Sequence, residues 1–441
     1  MKPLPLLLAA ALAVAGGLPA VAQETRRAAP SVFGGGSIPA DEKLIGGSVE
    51  SLLVFAREQH PEFAAMRFEA AAAAERVGPA GALPDPGFRF ELRDFTNEMS
   101  GASPSVLPAR VGSTKYTLTQ SLPWYGKRDL RREVAAAGAD AAAGQVRATW
   151  TELAMRIKQT YAQHHVYLHT LRLMGENLDL LQRLGDIAQT RYASGLAQQQ
   201  DVIRAQTERA MLHSDMVMLE GESAQAVARM RSLLGRPSSD IKLRPPETLR
   251  PMPPAATLDF TALEARLLAN NPQLAMAGAR ITAADKERDL TYRNRYPDVM
   301  LGLSPIQTRS RVSEWEFMVE INIPLQQESR RAQERESERM LDAAKLRRAA
   351  TLNQALAELG EALAGLEAAQ RVEKVATTSL LPQAELMLQS ALAGYETGKA
   401  EFFMVLEAQR QIRRTQQDLI RARGDQQLRL AEIERLIGEE L

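Results

Sequence analysis

Two groups of side chains in this sequence have the type and spacing to bind a metal. His165 and His169 stand four residues apart, which puts both imidazoles on one face of a helix, with His164 alongside. A zinc site needs at least one more ligand, and the 441 residues contain no cysteine to supply a thiolate. Met211, His213, Met216 and Met218 offer soft thioether and imidazole donors suited to copper or silver. Methionines at near-helical spacing also suit core packing. Both groups stay open as candidates, and neither carries an assignment: no metal, cofactor or catalytic residue is expected. There is no nucleophile elbow, phosphate-binding loop or His-Glu-x-x-His pattern, so an exported hydrolase has nothing to work with.

The elements that would position any site are set by a duplication. Arg191-Tyr192-Ala193-Ser194-Gly195 recurs as Gly394-Tyr395-Glu396-Thr397-Gly398, and Arg231-Ser232-Leu233-Leu234-Gly235 as Glu434-Arg435-Leu436-Ile437-Gly438, each pair 203 positions apart. His60-Pro61-Glu62 has its counterpart in Asn271-Pro272-Gln273. The period exceeds that of a solenoid built from short units and reads as a tandem duplication. The expected organisation is a signal peptide (1–22), an N-terminal arm (23–45), repeat 1 (46–235), a proline-rich linker (236–256) and repeat 2 (257–441). The signal peptide rests on Lys2, the apolar run of residues 4–18 and the small-x-small site Ala20-Val21-Ala22. With 54 basic and 54 acidic side chains, no net charge draws the chain to nucleic acid.

Each repeat reads helix, two strands, long helix, helix. Phe88, Phe90 and Leu92 alternate with Arg89, Glu91 and Arg93, and Tyr116, Leu118 and Leu122 alternate with Lys115, Thr117, Thr119 and Ser121. In repeat 2, Val299, Leu301 and Leu303 alternate with Met300, Gly302 and Ser304; then Trp315, Phe317, Val319, Ile321 and Ile323 alternate with Glu314, Glu316, Glu320 and Asn322. Beyond Pro123 and Pro324 come uninterrupted helical stretches, residues 127–194 and 327–397, broken in pattern only by Pro382. Helices of that length are about 100 Å long at 1.5 Å per residue. Leu352, Leu356, Leu359, Leu363 and Leu366 step 4-3-4-3, a coiled-coil seam; Val405, Ile412, Leu419 and Ile433 share a heptad position that Gln426 interrupts.

Strands of this length with one apolar and one polar face match a transmembrane barrel. Four strands do not close one, so two, three or four chains must share it. A mainly α chain results, with a long helical coiled-coil tunnel and a small β part contributing four strands to a shared barrel. A soluble sheet buried within one chain is the plainer alternative, and a periplasmic adaptor or other coiled-coil structural protein the alternative of another class.

The order of elements, the duplication, the start Leu263-Glu264…Asn271-Pro272 and the Tyr-x-x-Gly turns resemble the TolC-like outer-membrane efflux channels. The resemblance implies a homotrimer in outer-membrane lipid with a 12-stranded barrel, a periplasmic tunnel and a closable tip. It also implies coupling to an inner-membrane pump through a periplasmic adaptor. Polar residues after the turns close the tip in that family, which points here to a gate of Asp201, Tyr395, Lys399 and Glu407, with Arg204 near. Met404 stands where the family has a second carboxylate, and Ala400 where it has an arginine. Ser194, Gly195, Leu196 and Gly398 are the implied adaptor docking positions. Pro123-Trp124-Tyr125-Gly126-Lys127, followed by Arg128, Leu130 and Arg131, is similar to members that serve heavy-metal cation efflux, the alternatives being multidrug export or type I secretion.

Overall fold

The computed structural model describes residues 45–98, 101, 103–108, 110–237 and 242–441. The expected signal peptide, and the expected arm apart from Ile45, lie outside the described residues.

The duplication is visible in the helix starts. α1 (Val49–Gln59) is capped by Ser48, whose hydroxyl accepts from Ser51 N–H. α2 (Pro61–Glu75) begins at a proline, and its cap His60 accepts from Phe63 N–H through the imidazole. In the second copy α6 (Phe260–Asn270) is capped by Asp259, and α7 (Pro272–Arg293) by Asn271, again with proline at the first position. Proline has no N–H to lose there, and its fixed φ suits the first turn. Between them lie a short helix α3 (Val77–Ala80), strands β1 (Gly87–Arg93) and β2 (Ser113–Leu122), α4 (Lys127–Ala193) and α5 (Gln199–Leu233). After α7 come β3 (Val299–Thr308), β4 (Arg311–Ile321), α8 (Gln327–Val375), a π turn (Ala376–Leu380), α9 (Leu381–Glu396) and α10 (Phe402–Ile437).

The strands form one antiparallel sheet in the order β1-β2-β3-β4. Its register gathers the apolar residues on one face: Phe88 lies opposite Leu118, Leu118 opposite Leu303, and Leu303 opposite Phe317. All four are exposed, Phe88 and Phe317 at 68%. The other face carries the Lys115–Glu316 ion pair and a hydroxyl pair, Thr117 with Ser304, at 2.9 Å. The apolar face therefore finds no cover in its own chain, which removes the alternative of a buried soluble sheet. Ile323, expected at the end of the last strand, lies just beyond it.

Each copy builds the same small core at the far end of its returning helix. In the first, Leu52 of α1, Ile157 of α4 and Leu234 beyond α5 pack together. In the second, Leu263 and Leu267 of α6 meet Leu359 and Leu366 of α8 and Ile433 of α10. Gln426, the interruption in the α10 heptad, is buried and donates to Glu373 of α8.

Residues 127–193 form one unbroken helix of 67 residues, as expected. The matching stretch of the second copy does not: Ala376–Leu380 is a π turn, with Leu381 N–H donating five residues back to Ala376. Pro382 causes it, since it offers no N–H to the carbonyl four residues earlier and its ring crowds that carbonyl.

The linker is tied to both copies. Leu243 bridges Ile45 in parallel, and the Tyr161 hydroxyl of α4 lies 3.1 Å from the carbonyls of Gly47 and Thr248. Arg250 holds Glu434 of α10 through two bonds of 3.0 Å, and Lys158 of α4 reaches the same carboxylate at 2.9 Å. Burial alone would raise the Glu434 carboxyl, but the Arg250 and Lys158 cations outweigh it and hold the group below its ordinary value. Glu434→Gln leaves Arg250 without its counter-ion and Lys158 with only the exposed Glu440, 3.2 Å away, and should cost about 3 kcal/mol, read as a lower unfolding temperature of the detergent-solubilised protein. Because the folded value is depressed, this contribution is full above the unfolded carboxyl value of 4.5 and is lost as pH falls through the folded one. The wild type should therefore lose stability on acidification below about pH 4.5, and Glu434→Gln should lose less over the same range.

Candidate functional site

The two turns between long helices have the same backbone. α4 ends at Gly195 with φ +72° and α9 at Gly398 with φ +73°. Leu196 N–H donates to Arg191 and Gly195 N–H to Tyr192; Lys399 N–H donates to Gly394 and Gly398 N–H to Tyr395. This pairing of six-to-one and five-to-two bonds needs a left-handed residue, which glycine supplies without a Cβ penalty. The hydroxyls of Ser194 and Thr397 close each end by bonding back to Thr190 and Ala393, both at 2.9 Å.

Beneath the turns, four helices share one core. Leu181, Leu184 and Ala188 of α4, Val202, Ala205 and Leu212 of α5, Tyr395 of α9, and Phe402, Val405 and Leu406 of α10 pack together. The turns are thereby held side by side. Leu196 projects from its turn at 70% exposure, and Ser194 and Gly398 are exposed too.

The residues expected at the gate fall into two sets. Asp201 lies in the first turn of α5, where the helix dipole favours an acid. Tyr395 is buried against Phe402 with ring centroids 5.2 Å apart, and its hydroxyl has no hydrogen-bond partner among the described residues. Burial raises the Tyr395 phenol above its ordinary value, and the nearby Asp201 charge adds to the rise. Within one chain the Asp201 charge thus acts on the Tyr395 phenol without a hydrogen bond between them. Lys399 and Glu407 stay apart from them and exposed; Glu407 lies 3.7 Å from Arg410 on its own helix. Met404 is exposed, and the Arg204 guanidinium lies 5.8 Å from the Phe403 ring centroid.

Sequence reasoning missed the side chains that join the first hairpin (α4, α5) to the second (α9, α10). Arg191 donates to the carbonyls of Tyr395 and Glu396 at 2.9 and 3.1 Å, with its guanidinium 4.8 Å from the Tyr395 ring centroid. Farther from the turns, Gln409 donates to the buried Asn177 at 2.6 Å. Glu208, 4% exposed, accepts from Arg410 Nε at 3.0 Å and from Arg413 at 3.4 Å. The signal for Arg191 was in the repeat itself. Its counterpart is Gly394, where a Cβ would come within 2.9 Å of Ala400, so the copies differ where the first hairpin reaches the end of α9.

The metal candidates are not completed. The His165 and His169 rings stack with centroids 4.0 Å apart. Burial, then the neighbouring His169, lowers His165 to about 4. Among the described residues no group of three or more His, Cys, Asp or Glu is placed to hold a metal. Met216 packs against the tip core while Met211, His213 and Met218 are exposed, so the four do not converge.

An amphipathic sheet with an uncovered apolar face, continued by long helices of which the 67-residue α4 alone runs about 100 Å, defines the outer-membrane conduit class of protein rather than an enzyme. The outer membrane efflux protein model matches residues 52–236 and 263–439, and the chain belongs to that family. Nodulation protein T of Rhizobium leguminosarum bv. trifolii is 22% identical over 369 residues, 81% of this chain and 77% of that protein. Among solved structures, the outer-membrane channel OprN superposes with a TM-score of 0.77 at 18% identity, covering 88% of this chain and 89% of its own. The outer-membrane protein VceC of Vibrio cholerae gives 0.75 at 18% identity, covering 89% and 96%. The protein is an outer-membrane efflux protein whose helical part lies in the periplasm.

Glu208→Gln should loosen the seam between α5 and α10. Losing a carboxylate shared by two arginines removes bonds of about 1.5–3 kcal/mol, so amide exchange across residues 205–212 should rise about tenfold or more, with the end of α5 near Met230 unchanged.

Proposed function

We propose that this chain is the exit duct of a tripartite efflux system. In this reading it is a homotrimer whose chains each give four strands to a 12-stranded barrel, and it receives its cargo from a periplasmic adaptor and an inner-membrane pump. The observation that carries the reading is the exposed row Phe88, Leu118, Leu303 and Phe317, which needs lipid on one side while Lys115, Glu316, Thr117 and Ser304 need water on the other. The adaptor docks at the exposed turn residues Ser194, Gly195, Leu196 and Gly398, and Asp201, Tyr395, Lys399 and Glu407 gate the tip. Lys399 and Glu407 are exposed in the single chain and so available to neighbouring chains. Three Glu407 carboxylates around one axis would repel one another unless paired or protonated, which leaves the closed state dependent on its hydrogen bonds.

The test is purification in detergent and reconstitution in planar bilayers. The protein should have the mass of three chains and form channels. Asp201→Ala combined with Tyr395→Phe should raise resting conductance; an intact trimer with unchanged conductance would place the gate elsewhere.

The cargo in this proposal is a heavy-metal cation, a reading supported by residues 123–131. That run has a structural part: Trp124 stacks on Tyr296 with centroids 5.3 Å apart, and the buried Lys127 bonds Tyr296 and Asp298 at 2.8 Å, fixing the corner between strand and helix. A deletion strain should lose tolerance to heavy-metal cations and keep its resistance to hydrophobic drugs. The opposite pattern would make multidrug export the function.

A further inference from the structure

We infer that Arg191 is the latch that couples the two tip hairpins within one protomer, an inference that rests on the gate reading. Its side chain starts in the last turn of α4 and ends on the last turn of α9. The carbonyls it meets there, of Tyr395 and Glu396, belong to the final turn of a helix, where the dipole is negative; the Tyr395 carbonyl already accepts from Gly398 N–H and takes Arg191 as a further donor. The same guanidinium faces the Tyr395 ring at 4.8 Å, and the ring is held from behind by Phe402 at 5.2 Å. One cation thus holds two acceptors and one aromatic face of the other hairpin. Both bonds leave from Nη1, which an ammonium could imitate; what lysine lacks is the planar face that lies against the Tyr395 ring.

Position strengthens the inference. Polar ties join the hairpins along their length: Lys158 with Glu434, Gln159 with Glu432, Asn177 with Gln409, Glu208 with Arg410 and Arg413, and Arg191 with α9. Arg191 is the tie beside the turns, its guanidinium approaching the space above Gly398. Any opening that moves α9 and α10 away from α4 and α5 must break it. The latch has no counterpart in the second copy, where Gly394 stands in the place of Arg191. The asymmetry has room to exist because Gly394, the counterpart of Arg191, is packed against Ala400 and has no space for a side chain.

The test uses the full-length trimer in planar bilayers without adaptor, comparing Arg191→Gln and Arg191→Lys with the wild type and with the Asp201→Ala, Tyr395→Phe pair. Arg191→Gln should raise the open fraction about tenfold, the change expected when a charge-assisted contact is lost. Arg191→Lys should raise it by less. If Arg191→Gln does not assemble, Arg191→Lys decides alone, and wild-type conductance in that variant overturns the latch. Unchanged conductance in an intact Arg191→Gln trimer also overturns it. If the Asp201, Tyr395 pair opens the channel while both Arg191 variants are silent, the gate stands and the latch falls. Silence in all of them removes the gate reading itself.

Discussion

A four-stranded sheet with β1 and β4 as open edges and its apolar face uncovered has no stable arrangement in water as a single chain. Open edges leave rows of backbone N–H and C=O groups unpaired, and in lipid each such group costs several kcal/mol. That constraint dictates much of what lies below the sheet. The polar face, with its Lys115–Glu316 pair, must keep its water while the other face gives its water up. The helices that leave the strands at Pro123 and Pro324 continue the same wall, so the spacing of the strands sets the spacing of α4 and α8.

Long coiled coils carry a second problem, because a heptad seam slides to the next heptad at modest cost. Buried polar groups answer it here. Glu208 between Arg410 and Arg413, Asn177 with Gln409, Gln426 with Glu373, and Glu434 between Lys158 and Arg250 each fit one register only. Such groups contribute little net stability compared with apolar packing. Their contribution is alignment, which fits their placement at intervals along the seams. The Arg250 contact also explains why the proline-rich linker is held in place, since it carries one of the two cations on Glu434.

Much of the fold was legible in the sequence because its signals are local. Period-two runs marked all four strands, missing up to four residues at their ends, and paired His-Pro and Asn-Pro starts and Tyr-x-x-Gly turns marked the helix ends. The site was half legible. The turns at Gly195 and Gly398 have the backbone their glycines implied, and the Asp201 charge acts on Tyr395 although no bond joins them. The ties across the seam were not seen, because Arg191, Glu208 and Arg410 look like ordinary solvated helix charges until the partner helix is in place. Lys399 and Glu407 make no mutual contact in one chain, and their geometry belongs to the assembly. The π turn was missed for another reason: Pro382 advertised a disturbance, but not whether the helix would kink, end or rewind.

That π turn also bears on the lengths of the two copies. Between the start of α4 and its turn the first copy has 67 residues without interruption. The second spans 49, 5 and 16 residues over the same path, three more. Both ends are pinned, one by the strands and the other by Arg191 on Tyr395, so the surplus has nowhere to project. A straight α-helix would carry it as about 4.5 Å of extra length and would rotate every later heptad position off its seam. A π turn packs an additional residue into one turn and takes up part of that excess while the helix runs on. The second hairpin therefore keeps its tip level with the first despite its greater length, the π turn ahead of Pro382 taking up part of the difference.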